Sequence, residues 1–178
     1  MPRLFTGLEI PPEVALQLSM LRGGLSGARW IDPENYHITL RFIGDIDRAT
    51  AHEVFSVLGD CRRYGELTIS VGELATFGSD RPRSIIVKIQ PNSALLNLQA
   101  EQERLLRRVG VAAEARKFVP HVTLARLRHG SPLDVAEYMN AFGQIPRITF
   151  SAKRFVLYSS RDSVGGGPYV VEAAYPLA

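Results

Sequence analysis

Cysteine, lysine and long apolar stretches are scarce in this sequence of 178 residues. The single cysteine, Cys61, cannot form an internal disulfide, which favours a reducing compartment and predicts a cytoplasmic protein. No stretch is long and apolar enough to span a bilayer. The first residues lack the pattern of a signal peptide, because Glu9, Pro11 and Pro12 interrupt a short apolar segment. We therefore expect neither a disulfide-stabilised secreted protein nor a membrane protein.

The composition is otherwise that of an ordinary globular protein. Hydrophobic residues make up 46% of the chain and charged residues 22%, and we expect one domain over residues 1–178. The net charge of +3 is too small to establish nucleic-acid binding. Arginine accounts for 18 of the 21 basic residues, and its planar fork suits phosphate. A high genomic GC content would produce the same bias, so arginine usage alone assigns no function.

The most informative feature is a short motif, His-x-Thr-Leu, that begins at His37 and again at His121. Both copies lie in segments rich in β-branched and aromatic residues, which predicts strands. Side chains alternate between the faces of a strand, so each histidine shares a face with the threonine two residues later, Thr39 or Thr123. A polar pair on an otherwise apolar strand is costly to bury without partners. If both pairs face one cleft, they form a two-histidine site.

The motifs occupy corresponding places in a repeated order of strand, helix, histidine strand, helix and long strand. The two histidines are 84 residues apart, and the other elements recur at about the same spacing. This duplication predicts an α+β fold with two lobes, approximately residues 1–80 and 81–178, related by a pseudo-twofold axis, with the terminal strand a candidate for exchange between the lobes. The predicted strands span residues 4–10, 28–31, 36–43, 67–77, 84–89, 117–127, 148–158 and 169–174, and the predicted helices span residues 12–25, 48–61, 92–109 and 131–142.

Two histidines and two threonines in one cleft suit acid–base chemistry on an anion. Because imidazole has an ordinary pKa of about 6.5, one ring can be protonated while the other is neutral near neutral pH. Such a pair can deprotonate a water molecule and protonate a leaving alkoxide, each transfer contributing about 10²–10⁴-fold in rate. The hydroxyl groups can donate to anionic oxygens. A phosphate ester with a poor leaving group fits this set best.

Other kinds of site fit less well. Zinc catalysis normally requires a third protein ligand, and no Asp, Glu or Cys recurs with the motifs, so we predict no metal and no cofactor. His52 and His129 have no matching partners and are predicted to lie on the surface. A serine hydrolase is not indicated, because no Gly-x-Ser-x-Gly occurs. The three glycines at residues 165–167 are interpreted as a hairpin turn and not as a phosphate loop.

The paired motifs resemble the signature of the two-histidine (2H) phosphoesterase superfamily. Within it, the chain is similar to the bacterial and archaeal RNA 2′,3′-cyclic phosphodiesterases, also called 2′-5′ RNA ligases. The similarity covers nearly the whole chain. It rests on Arg3-Leu4-Phe5, on HITLRFIG from His37 to Gly44, on FVPHVTLAR from Phe118 to Arg126, and on Leu157-Tyr158-Ser159-Ser160.

The resemblance implies antiparallel sheets around a central cleft and metal-independent hydrolysis of RNA 2′,3′-cyclic phosphate ends to 2′-phosphomonoesters. It implies that His37 donates a proton to the leaving 3′ oxygen, that His121 activates water, and that Thr39 and Thr123 hold phosphate oxygens. It also implies a reverse reaction, 2′-5′ ligation, at the same site. The expected partner is RNA with cyclic phosphate ends, tRNA fragments among the candidates, and we expect a monomer.

Two arginines are further candidates for phosphate binding. Arg41 shares the face of His37 by strict alternation, although the similar proteins often carry an apolar residue there and a place at the rim is an equal alternative. Arg126 matches an arginine of the family, yet alternation puts it on the face opposite His121. A strand end or a β-bulge would be needed to turn Arg126 inward.

Aromatic residues are candidates for stacking on RNA bases, because every base offers a π face. Phe5, Trp30 and Tyr169 are proposed for this role, with core packing as the alternative for each. Core packing is the preferred interpretation for Tyr36.

Two further interpretations of the cleft remain open. It could bind RNA ends or nucleotides without turnover, or it could apply the same chemistry to a small cyclic phosphate or a 2′-5′-linked oligonucleotide. The presence of both intact motifs favours an enzyme, because binding alone does not require two imidazoles.

Overall fold

The computed structural model describes residues 3–63, 65–78, 80–129, 131–160 and 167–178. These residues form an antiparallel sheet with helices, so the predicted α+β class is confirmed. The strands are β1 (Arg3–Glu9), β2 (Ala28–Trp30), β3 (His37–Asp45), β4 (Leu67–Phe77), β5 (Ser84–Ile89), β6 (His121–Leu127), β7 (Ile148–Ala152), β8 (Arg154–Ser160) and β9 (Tyr169–Pro176). The helices are α1 (Pro12–Ser19), α2 (Arg48–Leu58), α3 (Ser93–Arg108) and α4 (Pro132–Ala141), and Pro33–Asn35 forms a single 3₁₀ turn.

Local sequence explains where the helices begin and end. The Asp47 side chain accepts a hydrogen bond at the first turn of α2, and the Asn92 side chain does the same for α3. Proline lies in the first turn of α1 and of α4, where a backbone N–H would have no acceptor within the helix. Helix α1 ends six residues before the predicted position, because the chain leaves the helix and turns through Gly23 and Gly24, both with positive φ.

The strands follow the order β7-β4-β5-β6-β3-β1-β8-β9, with every pair antiparallel and β2 added to β6. The long strand of each sequence repeat joins the other half of the sheet: β4 pairs with β5, and β8 pairs with β1. The physical lobes therefore differ from the residue ranges 1–80 and 81–178 by two exchanged strands in each direction. Strands β2 and β4 join the half of β5 and β6, whereas β8 and the terminal strand β9 join the half of β1 and β3. The predicted strand 148–158 is in fact two strands that break at Lys153, where the chain crosses from one half to the other.

The start of β6 and the predicted glycine turn before β9 differ from the expectation or lie largely outside the described residues. Residues 117–120 lie outside β6, which begins at His121 after Pro120, a residue without an N–H for the ladder. Most of the predicted glycine turn at 165–167 falls outside the described residues, and β9 begins shortly after it, at Tyr169.

A β-bulge interrupts β3 at the leucine that ends its motif. Thr6 of β1 pairs with Arg41, but the next residue, Gly7, pairs with Thr39, so the register skips Leu40. Alternation is therefore offset by one residue, and Arg41 is buried like Leu40.

An equivalent bulge interrupts β6. Ile85 of β5 pairs with Ala125, and the next residue, Ile86, pairs with Thr123, so the register skips Leu124. The sheet thus has the same irregularity at the same place in both histidine strands, and the residue after each bulge changes face.

The main core lies on one side of the sheet. Its buried residues come from all four helices and from the inward positions of the strands, among them Leu8, Leu18, Leu58, Leu98 and Phe155. A small separate cluster of Phe5, Val156 and Tyr158 lies apart from it, with Tyr169 against it. The main core leaves the histidine face of the central strands available for a cleft. Over the part of the chain that the structure describes, no helix is long and apolar enough to cross a bilayer.

Candidate active site

The two histidine strands meet at the centre of the sheet, where Ile38 of β3 pairs with Val122 of β6. Both of these side chains are fully buried on the core side. The antiparallel register consequently places His37 beside Thr123 and His121 beside Thr39, on the opposite face. The sequence repeat thus brings both motifs together in one place.

The motif residues border a single cleft of about 420 Å³. It is lined by Arg3, Phe5, Ile31, Asn35, His37, Thr39, Phe42, His121, Thr123, Arg126, Ser160 and Tyr169.

Hydrogen bonds fix the orientation of the His37 ring. Its Nδ1 lies 2.9 Å from the carbonyl oxygen of Asn35, and because a carbonyl only accepts, Nδ1 carries the proton. Its Nε2 lies 2.9 Å from the hydroxyl oxygen of Thr39, which donates to the neutral ring. The rings of Phe5 and Tyr169 surround the imidazole, with centroids 5.1 Å and 4.9 Å away. The pKa of His37 is lowered to about 4, mainly by burial, with a smaller contribution in the same direction from the nearby His121 and Arg126.

His121 is held in the same way. Its Nδ1 donates to the carbonyl oxygen of Val119 at 2.7 Å, two residues earlier, as in His37. The ring of Phe77 contacts the imidazole edge-on, with centroids 4.6 Å apart. Burial lowers the pKa of His121, and the nearby Arg126 guanidinium adds to this effect. Both rings therefore carry a proton on Nδ1 and are neutral near pH 7 in the free protein, which leaves each Nε2 without a proton.

The two candidate arginines, Arg41 and Arg126, lie on opposite faces of the sheet, and the bulges explain both positions. Arg126 lines the cleft, because the bulge in β6 moves it to the face of His121 and Thr123. The expectation that Arg41 shares the face of His37 is wrong, because the bulge in β3 turns it away from that face.

The Arg41 guanidinium is fully engaged elsewhere. It forms an ion pair with Glu103 of α3 and donates to the carbonyl oxygens of Phe42 and Ala112. With a side chain only 4% exposed, Arg41 belongs to the buried structure and not to the phosphate site.

Two of the three aromatic candidates are also placed differently from the expectation. Trp30 packs against Tyr138 of α4, with centroids 5.7 Å apart, and does not line the cleft. Phe5 borders the cleft but is 5% exposed and stacks on Tyr158, so it supports His37 and has no free face for a base. Tyr169 lines the cleft and keeps its candidate role in stacking. Tyr36 is buried, as its preferred interpretation requires.

Several residues of the site escaped sequence reasoning. Asn35 contributes its backbone carbonyl, for which a sequence gives no signal, and Phe77 reaches His121 from β4 of the other repeat. Phe42 could have been found, because it precedes Arg126 by the same 84 residues that separate the two histidines. The bulges place Phe42 and Arg126 at corresponding positions of the cleft, one apolar and one cationic.

The donor set of the cleft suits an anion. Two imidazoles, two threonine hydroxyls and the side chains of two arginines, Arg3 and Arg126, line the same space, with no carboxylate among the residues that line it. Across the described ranges, no group of three or more His, Cys, Asp and Glu side chains is arranged to hold a metal ion. An anion bound between the rings would raise the pKa of both histidines.

Known proteins match this chain in sequence and in fold. A family model described as LigT like Phosphoesterase matches the chain twice in tandem, over residues 8–87 and 87–169. Curated relatives named RNA 2′,3′-cyclic phosphodiesterase include one from Thermotoga maritima, 29% identical over 95% of this chain and 92% of the relative. The relative from Aquifex aeolicus is 30% identical over 83% of this chain and 81% of its own length. The relative from Aeropyrum pernix is 37% identical, but over only 55% of this chain and 56% of its own length.

Solved structures share the whole fold. TT0787 of Thermus thermophilus superposes with a TM-score of 0.80 at 19% identity, covering 98% of this chain and 97% of that one. The structure titled E. coli LigT complexed with 3′-AMP superposes with a TM-score of 0.78 at 23% identity, covering 99% of both chains. The tandem match of the family model spans both halves of the duplicated pattern. The chain belongs to the LigT-like phosphoesterase family and is a phosphoester hydrolase.

Proposed function

We propose that this protein hydrolyses the 2′,3′-cyclic phosphate at RNA ends to a 2′-phosphomonoester. The observation that carries the proposal is the matched pair of imidazoles, His37 and His121, each anchored through Nδ1 and each presenting Nε2 to one cleft. The names of the curated relatives support the choice of substrate.

In the proposed reaction, Thr39, Thr123 and Arg126 bind the non-bridging oxygens of the cyclic phosphate. His121 Nε2 accepts a proton from a water molecule, and the water oxygen forms a bond to phosphorus. The bond from phosphorus to the 3′ oxygen breaks in line with that attack, and His37 donates a proton to the departing oxygen. The products are a 2′-phosphate and a free 3′ hydroxyl.

The lowered pKa values determine when His37 becomes an acid. In the free protein, burial keeps its ring neutral at pH 7, with a pKa of about 4. A bound phosphate brings a negative charge next to the ring and compensates the charge of Arg126, and both effects raise the pKa of His37. The substrate thus promotes protonation of the group that must give up a proton.

The same groups serve 2′-5′ ligation, which is the reverse of 2′-5′ cleavage at this site. If the 5′ hydroxyl of an RNA strand replaces water, His121 deprotonates it, its oxygen bonds to phosphorus, and His37 protonates the departing 3′ oxygen, so the product is a 2′-5′ phosphodiester. None of these steps uses a metal, so metal independence remains a prediction of the proposal. RNA as the partner, tRNA fragments among its sources, a monomeric state and a cytoplasmic location remain predictions as well.

The decisive experiment measures turnover of adenosine 2′,3′-cyclic phosphate in excess EDTA. We expect a 2′-phosphate product, and a rate lower by about 10²-fold or more in His37→Ala and in His121→Ala. His52→Ala is the matched control, because His52 is exposed on α2 and lies outside the cleft.

Three outcomes would contradict the proposal. Loss of activity in EDTA would show a required metal, and activity that survives either histidine substitution would remove the acid–base pair. If neither this substrate nor an oligonucleotide with a cyclic phosphate end is turned over, the cleft binds RNA ends without catalysis or acts on another substrate.

A further inference from the structure

A second cavity of about 680 Å³ opens next to the cleft. We call it the second chamber and define it by Phe77, Arg83, Arg116, Lys117 and Phe118, together with four residues that it shares with the cleft: Thr39, Phe42, His121 and Arg126. The second chamber is larger than the cleft itself and leads directly into it.

The second chamber reaches the ring of His121 but not that of His37. His121 lines both spaces, whereas His37 lines the cleft alone. Phe77 of the second chamber contacts the ring of His121 edge-on. The space therefore lies on the side of the imidazole to which we assign the activation of the nucleophile.

Positive charge dominates the second chamber. Its Arg116 is neutralised by Glu114, whose carboxylate lies 3.2 Å away. Arg83 and Lys117 are exposed, and no carboxylate in the described part of the chain forms an ion pair with either. Three cationic side chains of the second chamber, Arg83, Lys117 and Arg126, therefore form no ion pair with a carboxylate of the described residues.

Aromatic rings accompany these cations. Phe77 and Phe118 are half-buried on the wall of the second chamber, and Phe42 is 41% exposed between the two spaces. Cationic side chains interleaved with aromatic rings are typical of sites for single-stranded nucleic acid, where phosphates contact the cations and bases stack on the rings.

In-line displacement assigns the two sides of the phosphate. The leaving 3′ oxygen lies on the side of His37, so the nucleophile must enter from the side of His121, where the second chamber opens. A water molecule occupies about 30 Å³ of liquid, a small part of this space. Hydrolysis alone therefore does not account for the size and charge of the second chamber.

We infer that the second chamber binds the first nucleotides of a second RNA strand, whose 5′ hydroxyl takes the place of water. The inference rests on the proposed function of the same site and adds the place at which the second strand is held. Arg83 and Lys117 contact the phosphates of this strand, and Phe77 and Phe118 contact its first bases. A strand with a 5′ phosphate is excluded as a nucleophile, because its terminal oxygen is already esterified.

The step balances without a further reactant. The 5′ hydroxyl gives its proton to His121 Nε2, its oxygen forms a bond to phosphorus, and the bond to the 3′ oxygen breaks. His37 gives its proton to that oxygen, and a 2′-5′ phosphodiester with a free 3′ hydroxyl results. In the opposite direction, a strand with a 5′ hydroxyl leaves from the second chamber, and a cyclic phosphate is formed.

The test compares two substrates of the same active site. The first substrate is adenosine 2′,3′-cyclic phosphate, which has no second strand. The second substrate is an adenosine trinucleotide whose first linkage is 2′-5′ and whose second linkage is 3′-5′. Cleavage of its 2′-5′ linkage releases a dinucleotide with a 5′ hydroxyl through the second chamber. We expect Arg83→Gln combined with Lys117→Gln to lower the ratio of trinucleotide cleavage to hydrolysis, both as kcat/KM, by about tenfold or more. The control combines Arg108→Gln with Lys153→Gln, two exposed cations that do not line the second chamber, and should leave the ratio unchanged.

An equal loss in both reactions, or no loss in either, would overturn the inference. A further test compares hydrolysis of an oligonucleotide that ends in a cyclic phosphate with hydrolysis of adenosine 2′,3′-cyclic phosphate. If the wild type hydrolyses the oligonucleotide faster and the double variant does not, the second chamber holds the chain that carries the cyclic phosphate, and the inference is overturned.

A binding measurement separates this inference from the proposed function. It uses a fluorescent hexanucleotide with a free 5′ hydroxyl and no cyclic phosphate, and needs no turnover. We expect the Arg83 and Lys117 double variant to bind it at least about fivefold more weakly than the control, with a shallower salt dependence. Equal binding would overturn the second chamber as the site of the strand. If the wild type fails to hydrolyse cyclic phosphates, the reactive role of the strand falls with the proposed function.

Discussion

Ile38 of β3 lies directly opposite Val122 of β6, and in the described residues this is the one register pair that joins the two halves of the sheet. Both side chains are fully buried, and each separates the histidine and threonine of its own motif. In the ladder of the sheet, the two imidazoles are therefore aligned through this one pair of apolar residues, which we call the seam.

Truncation of Ile38 at the seam should lower kcat as well as the stability of the fold. Ile38→Ala removes buried atoms and leaves a cavity, so the free energy of unfolding should fall by about 2–5 kcal/mol, while Ile38→Val should lower it by about 1 kcal/mol. We also expect kcat to fall by about tenfold in Ile38→Ala under conditions where the protein stays folded, because small displacements of catalytic groups are costly.

Ile69→Ala is the matched control. Ile69 is equally buried, but it lies on β4, away from the seam. Urea denaturation should show a similar loss of stability for the two alanine variants, with a reduced kcat only in Ile38→Ala. An equal effect on kcat in both would mean that the seam has no special role in alignment.

The positions of the motif residues could be predicted from the sequence because they depend only on local alternation along one strand. His37 and Thr39 precede the bulge in β3, where period two still holds, and the prediction that they share a face agrees with the structure. Arg41 and Arg126 follow the bulges, so alternation misplaced both, in opposite directions. A bulge depends on the pairing of two distant strands, which a single strand sequence does not reveal.

The exchange of strands was also beyond a local argument. The repeat order gives two sets of similar elements, but it does not say which half each long strand joins. Only the pairing of β4 with β5 and of β8 with β1 reveals the exchange, and Phe77 reaches His121 for this reason. The role of Phe77 could therefore not be predicted.

The ion pair of Arg41 and Glu103 should be important for folding. Arg41 is almost fully buried and also donates to two carbonyl oxygens, one on its own strand and one at Ala112. Arg41→Ala leaves the carboxylate and both carbonyls without this donor, so the free energy of unfolding should fall by about 3–5 kcal/mol.

Replacing both charges tests this cause. Arg41→Met combined with Glu103→Leu removes the unpaired carboxylate but leaves the two carbonyl oxygens without their donor, so it should recover part of the lost stability in urea denaturation. Arg108→Ala, at an exposed position of α3, should change stability little. A double variant that is less stable than Arg41→Ala would show that volume, and not an unpaired charge, governs the effect.

The rate should depend on pH in a way that reflects the lowered pKa values of the two histidines. The profile of kcat/KM reports the free enzyme, where burial lowers the pKa of His37 to about 4 and also lowers that of His121. Because catalysis needs one protonated and one neutral ring, kcat/KM should form a bell whose maximum lies below about pH 6.5. The profile of kcat should lie at higher pH, because the bound phosphate raises both pKa values.

Arg126→Gln provides a check on the electrostatic origin of this shift. The guanidinium lowers the pKa of both rings, so its removal should move the kcat/KM maximum to higher pH, in addition to reducing the rate. Rates measured from about pH 4 to pH 9 test both statements. A kcat/KM that does not change between about pH 5 and pH 8 would contradict the requirement for one charged and one neutral imidazole.

Acid should weaken the folded state through the half-buried ring of His37. In the unfolded chain, His37 binds a proton below about pH 6.5, whereas in the folded protein its pKa is about 4. The stability that this neutral ring contributes is therefore complete above pH 6.5 and is lost as the pH falls from there towards 4, with His121 acting in the same direction. The loss from His37 should be at most about 3 kcal/mol, and less to the extent that the ring meets water in the cleft.

Urea denaturation between about pH 7.5 and pH 4.5 measures this contribution, with wild type and His37→Gln compared at each pH. Carboxylates weaken both proteins in acid, so the difference between their slopes isolates the buried imidazole. We expect the variant to lose less stability than wild type over this range. His52→Gln should follow wild type, because His52 is exposed. Parallel curves for wild type and His37→Gln would mean that the folded ring binds its proton as readily as the unfolded one, and the substrate-promoted protonation of His37 would then be unnecessary.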